Sequence, residues 1–427
     1  MPDSTDQKRL FRWQVRTFAL LWSAYASYYL CRLNFAVAQP RILQNFPEWS
    51  LAQIGAIPST YAAVYAVGQF VNGQLAVRFG ARVMMTASML VAGLANLAFS
   101  RATTFEEMLL FWGVNGWVQS AGWSLVVETM ANWTPVHRRG IVIGLISTCY
   151  QVGNVAAWLL AGVLVDRIGW RAAFYVPGIW LFPMAAVFAL FLRNRPEDAG
   201  FPPVREDQRP TRDPSGPGST ERISIARALV ITLSNRVLWV LAIGFFCANA
   251  VRYAFMNWAV TYIADFHGRS VRDSAFLAVA LPLIGSAGAV FAGWASDALF
   301  GGRRAPLCAL MLLALSGVCL MFPQVPAGDL WTATALLGLA GFLIYGPDML
   351  MSGAATVDFS HPRAAAAATG LTMSTGAAGA IFSGAGVGWL RDLAQGEWET
   401  VFFALAALAL IPALLMATLW NARPKMR

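Results

Sequence analysis

VRTFALLWSAYASYYLCRLNFAVA, from Val15 to Ala38, is a run of twenty-four mostly apolar residues that holds an arginine, Arg32, well inside it. As a helix rising ~1.5 Å per residue it is about 36 Å long, enough to cross a hydrocarbon core of ~30 Å. Stretches of similar length recur as far as Trp420, at 53–76, 83–100, 107–131, 141–164, 172–192, 237–264, 275–297, 305–322, 330–357, 364–390 and 400–421. With 15–38 they predict an all-α integral membrane protein of twelve transmembrane helices. The alternating pattern of a membrane barrel is absent.

Composition agrees. The chain is 57% hydrophobic and 12% charged, about half the charge of a soluble domain. Its formal charge of +9 invites a nucleic-acid reading, so the location of the positive residues decides what it means. With the N-terminus inside, 22 Lys and Arg fall in inward segments and seven in outward ones: Arg41, Arg101, Arg167, Arg171, Arg269, Arg272 and Arg391. That bias places both termini in the cytoplasm and excludes nucleic acid as the reason for the charge. The basic start (Lys8, Arg9, Arg12, Arg16) has no small-residue cleavage site after a short apolar core, so the first span is expected to stay in the mature protein.

Little supports an enzyme. Cys31, Cys149, Cys247, Cys308 and Cys319 all fall in apolar spans without metal-ligand spacing. His137, His267 and His361 each fall in a predicted loop, so no histidine cluster suits zinc or a nucleophilic triad. No metal and no cofactor is expected.

After the sixth span the chain turns to RNRPEDAGFPPVREDQRPTRDPSGPGSTER, too polar to build a core. It divides the protein into an N-terminal six-helix half (1–192), a cytoplasmic linker (193–236) and a C-terminal six-helix half (237–427). Within the linker, Ile223 to Leu233 has the pattern of a short interfacial helix. Each half also repeats internally. A Gly-x-x-x-Asp pattern closes the fifth span (Gly162, Asp166), the eighth (Gly293, Asp297) and the eleventh (Gly388, Asp392), with Gly73 and Val77 in the second. Nested three-helix repeats of this kind mark the major facilitator architecture, two six-helix halves about a pseudo-two-fold axis. The loop Gly73-Gln-Leu-Ala-Val-Arg78-Phe-Gly80-Ala-Arg82 resembles that superfamily's signature with Val77 in place of the aspartate. A latch there must be weaker or built differently from that at Asp297, Arg303 and Arg304.

A guanidinium in hydrocarbon costs ~2.5 kcal/mol or more, so a mid-span arginine marks a candidate site. Arg32 lies in the first span, with Tyr25 and Tyr29 at spacings that share one helical face. Arg252 lies in the seventh, the equivalent span of the other half. Arginine presents a planar fork of donors that matches phosphate or carboxylate, with a charge that persists at physiological pH. The blander alternative is that each pairs with a helix carboxylate or snorkels to an interface.

The chain resembles the organophosphate:phosphate antiporters, the bacterial glycerol-3-phosphate and hexose-phosphate carriers. The resemblance covers nearly the whole length. It rests on Tyr28-Tyr29-Leu-Cys-Arg32-Leu-Asn34-Phe35-Ala36, on Arg195-Pro196 with Gly200-Phe-Pro202-Pro203, on Arg252-Tyr253 with Trp258, and on Gly341-Phe-Leu-Ile-Tyr345-Gly346-Pro347. It implies that Arg32 and Arg252 hold the phosphate while the two halves rock around it, in a bacterial inner membrane. It also implies cavity roles for Tyr25, Tyr29 and Tyr65. Sugar-phosphate carriers of that family have lysines where this chain has Leu33 and Gln69. Tyr150, followed by Gln151, stands where the glycerol-phosphate carrier has a histidine.

Two acids at membrane depth depart further: Glu128, and Asp348 after the Tyr345-Gly346-Pro347 kink. Glu128 admits an ion pair with an arginine that substrate displaces, proton coupling, or recognition of a cationic group on a zwitterionic substrate. A structural pair or a place near the membrane surface is the plainer reading for both acids. The expectation is therefore a carrier exchanging a small organophosphate or phosphonate for inorganic phosphate, working as a monomer in the bilayer. A proton-coupled symporter of carboxylates or other organic anions, and a membrane sensor of a phosphorylated ligand that does not transport, stay open.

Overall fold

The protein is described by a computed structural model, which covers residues 4–202, 204, 225–359 and 365–421. Most of the linker, the loop with His361 and Arg363, and the basic C-terminal residues lie outside the described residues. Within them the regular structure is helical: α1 (Ser4–Leu30), α2 (Asn34–Asn45), α3 (Leu51–Phe99), α4 (Phe105–Gln119), α5 (Gly122–Trp133), α6 (Val136–Arg167), α7 (Ala172–Phe191) and α8 (Ile225–Leu233). There follow α9 (Arg236–Phe266), α10 (Val271–Ala278), α11 (Ala280–Ala298), α12 (Arg304–Met321), α13 (Leu330–Met349), α14 (Thr356–Phe359), α15 (Ala365–Leu393) and α16 (Glu399–Thr418). A π-helical turn, Leu350–Ala355, joins α13 to α14.

These elements compose the twelve spans of a major facilitator fold. Eight stretches of the described residues are long and apolar enough to cross a membrane on length and composition alone. The first, second, fourth and eleventh spans are not among those eight. The first is broken at residues 31–33 and the fourth at 120–121. The second carries Gln53, Ser59, Gln69 and Asn72, and the eleventh is rich in Gly, Ser and Thr, which add little hydropathy. Polar residues in a span lower its insertion signal, and they collect where function needs them.

Contacts group the chain into two compact units, residues 1–35 with 64–219 and residues 36–63 with 220–427. In the first, α1, α3, α5, α6 and α7 share a core that includes Leu21, Met85, Met89, Leu125, Ile146, Leu181 and Phe188. The missing aspartate of its 2–3 loop is replaced by an amide. The Arg82 backbone N–H donates to Asn194 Oδ1 (2.9 Å) and its Nε to the Ala189 carbonyl (2.6 Å). The expected acid–arginine latch of the other half is an Asp297–Arg304 pair at 2.6 Å, reinforced by Ser296; Arg303 instead turns to the Phe300 carbonyl.

In the second unit the start of α3 packs on α15 backbone to backbone, because a Cβ on Gly384 would collide with the Gly55 carbonyl and Ser59. Asp392, the acid of the eleventh-span repeat, accepts the Leu51 and Ala52 N–H groups at 3.0 and 2.8 Å. It so caps the positive end of α3. Beside it Arg391 is buried, donating to Asp265 (2.7 Å) and the Gly396 carbonyl (2.7 Å), with Trp398 4.0 Å beneath it.

His267 follows α9 and is buried. The Gly328 N–H donates to its Nδ1 (3.1 Å), which requires a neutral ring, and Nε2 meets the Tyr262 hydroxyl at 3.2 Å. Burial holds its pKa below the ordinary histidine value, with Asp329 opposing and Arg269 adding to that effect. A histidine depressed in the folded state gives stability that is present above its unfolded pKa, ~6.5, and lost as pH falls below it. The apparent melting temperature of detergent-purified protein is therefore expected to drop between about pH 7 and 5.5. His267→Gln, which can still accept from Gly328, should flatten that drop.

Candidate anion-binding site

The first candidate site is built where α1 stops. The N–H groups of Cys31, Arg32 and Leu33 turn back to the carbonyls of Tyr28, Tyr29 and Tyr29, each at 3.1 Å, and α2 begins at Asn34. The span expected to be continuous is thus interrupted at residues 31–33, where Arg32 stands. The guanidinium carbon lies 4.9 Å from the ring centre of Tyr29, 5.0 Å from Tyr65 and 5.9 Å from Tyr25. Aromatic faces attract a cation and so stabilise the charge where water is scarce. Tyr150 joins the cluster through Tyr25 (5.4 Å), Tyr29 (5.9 Å) and Trp123 (4.6 Å). Tyr29 seats on α6 only because position 153 is glycine, where a Cβ would press on its ring.

A set of buried amides, not singled out from sequence, fixes the arginine. Arg32 Nε donates to Gln119 Oε1 (3.1 Å), and Gln119 Nε2 donates to Asn115 Oδ1 (2.8 Å). Asn115 Nδ2 then donates to the Cys31 carbonyl at 2.7 Å, so the chain of bonds closes on the turn that carries Arg32. Asn96 donates to Asn115 Oδ1 (3.3 Å), and Asn34 to Asn96 Oδ1 (3.1 Å) and the Ala173 carbonyl (2.8 Å). All four amide residues are buried. The available signal was four amides at membrane depth, two of them spaced i, i+4, where an unsatisfied amide is costly.

The second candidate site lies on α9 and α13. Arg252 Nη1 meets Asp348 Oδ2 at 2.9 Å, the two side chains 22% and 20% exposed. Its guanidinium carbon lies 4.9 Å from the Tyr345 ring centre and 5.4 Å from Tyr253. Tyr345 lies flat on α11 at Gly285, where any Cβ would strike its ring. Asp348 lies two residues before the π-helical turn, a distortion frequent at functional sites.

The remaining candidates lie elsewhere. Gln69, one turn beyond Tyr65, is exposed. Gln151 adjoins Tyr150, and its Oε1 is buried without a hydrogen-bond partner. Glu128 is exposed on α5, nine residues beyond Gln119 and hence about 13 Å further along the span. Of the two acids, Asp348 is brought onto a candidate arginine, Arg252.

Residues 21–384 match the Major Facilitator Superfamily. A probable hexose phosphate transport protein of Chlamydia pneumoniae is 31% identical, the match covering 98% of this chain and 94% of that protein. The membrane sensor protein UhpC of Salmonella typhimurium is 29% identical, over 96% of this chain and 92% of its own. Among solved structures, an inward-facing bacterial homologue of the human lysosomal transporter Spinster gives a TM-score of 0.75 at 17% identity, covering 96% of this chain and 94% of that one. At that identity the likeness is one of fold.

Proposed function

Because the chain belongs to the major facilitator superfamily and, within it, to the organophosphate:phosphate antiporter family, we propose that it exchanges a small organophosphate or phosphonate for inorganic phosphate by alternating access. The observation that carries the reading is the seat of Arg32. A permanently charged fork stands at a helix break, backed by buried amides and faced by Tyr25, Tyr29 and Tyr65. Such a group is preorganised for an oxyanion. In this reading Arg32 and Arg252 bind the phosphoryl group, and Tyr150, Gln151 and Gln69 contribute to the substrate's surroundings. The charge bias of the loops supports both termini in the cytoplasm of a bacterial inner membrane, and the carrier is proposed to work as a monomer.

Exchange follows from charge. An anion that neutralises the arginines lowers the barrier to reorientation, whereas the empty carrier keeps unneutralised charge and reorients less readily. Proteoliposomes test this directly. Vesicles loaded with phosphate are expected to take up external phosphate or phosphate esters, and a pH gradient without internal phosphate is expected to drive none. The opposite pattern supports the second reading, a proton-coupled symporter of carboxylates or other organic anions, which the Asp348 carboxylate on Arg252 favours. Likeness to a membrane sensor supports a third reading, and ligand binding with negligible flux would select it.

A further inference from the structure

The two arginines meet different partners at equivalent places in the repeat. In each half the first helix carries the arginine and the fourth carries the residue it bonds, Gln119 at the end of α4 and Asp348 near the end of α13. Each partner stands where its span is interrupted, before residues 120–121 in one and before the π turn Leu350–Ala355 in the other. In the first half the contact from that place is made by a neutral amide, and in the second it is made by a carboxylate, which adds a negative charge.

That charge has a consequence for any ligand. An anion that binds Arg252 comes to lie beside the Asp348 carboxylate, two like charges on one guanidinium in a partly buried place. A ligand with a cationic group next to its phosphoryl group removes the conflict. The phosphoryl oxygens take Arg252 and the ammonium takes Asp348, at a place where Tyr253 and Tyr345 already face the guanidinium. Monobasic inorganic phosphate carries two hydroxyl groups where a monobasic ester or phosphonate carries one, so it donates to the carboxylate more readily.

We propose that Asp348 determines specificity, selecting zwitterionic aminoalkyl phosphonates or aminoalkyl phosphate esters over organophosphates without a cationic group. The inference rests on the exchange function proposed above and names the substrate class of that site.

The probes are 2-aminoethylphosphonate and propylphosphonate, which have the same shape and differ by one charge. In competition with phosphate self-exchange in proteoliposomes, the wild type is expected to favour the amine by about tenfold or more. Asp348→Gln, which copies the arrangement at Gln119, is expected to lose that preference and to bind propylphosphonate more tightly than the wild type does. Equal competition by the two probes in the wild type overturns the proposal. So does equal weakening of both in the variant, or an unchanged preference with an altered dependence on a pH gradient, which would assign the carboxylate to proton coupling. Absence of phosphate self-exchange would overturn the exchange function instead. The specificity is then read from thermal shifts of purified wild type and variant with the same two probes, where only the amine should stabilise the wild type strongly.

Discussion

Arg32→Lys and Arg252→Lys are each expected to lower phosphate exchange by about 10- to 100-fold although the charge remains. A guanidinium makes two parallel charge-assisted bonds to a phosphoryl group, and an ammonium at the end of a flexible stem makes one point contact. Losing a bond to a charged group costs about 1.5–3 kcal/mol, and ~1.4 kcal/mol is a factor of ten. Position matters as well. Arg32 Nε is oriented by Gln119, and lysine has no Nε–H from which to keep that bond. Initial rates in proteoliposomes reconstituted at equal protein density measure the effect, and matched melting temperatures show that folding is not the cause. Near-normal exchange by both variants would show that the two guanidinia do not bind the phosphoryl group.

Asn115→Leu should be the most damaging of the changes away from the arginines. Its amide receives from Gln119 and Asn96 and donates to the Cys31 carbonyl, and it is fully buried. Leucine removes the partner of Gln119 Nε2 and of the Cys31 carbonyl, while Asn96 Nδ2 keeps the Ala92 carbonyl; at about 1–3 kcal/mol for each group left, a loss of roughly 2 kcal/mol or more is expected. The same change frees the turn that holds Arg32, so exchange should fall with stability. Thermal unfolding in detergent and exchange in proteoliposomes read the two effects. Intact exchange in a destabilised Asn115→Leu protein would show that the amides support the fold without positioning the arginine.

Hydropathy and charge made the architecture legible before any coordinates. Apolar runs the length of a bilayer fix the number of spans, and Gly-x-x-x-Asp at matching places exposes the repeats. Arg32 and Arg252 stood out because charge in hydrocarbon is rare. The break at residues 31–33 was not legible: nothing in Leu30-Cys31-Arg32-Leu33 prevents a helix, and the Asn115 amide that holds the turn comes from another span. Nor could sequence separate the two acids. Glu128 and Asp348 look alike as single carboxylates in apolar runs, and their fates follow from helix rotation and offset. One is exposed well beyond Gln119, and the other falls on Arg252. Asp392 likewise read only as part of a repeat, whereas its carboxylate caps α3 through contacts more than three hundred residues apart in sequence.

The most direct measurement is efflux of labelled inorganic phosphate from loaded proteoliposomes, with and without an organophosphate or phosphonate outside. Label is predicted to leave only when external substrate is present, in step with its entry, and Arg32→Lys and Arg252→Lys vesicles should retain it. Efflux that proceeds equally without external substrate, or no efflux under either condition while the protein binds the ligand, would contradict exchange.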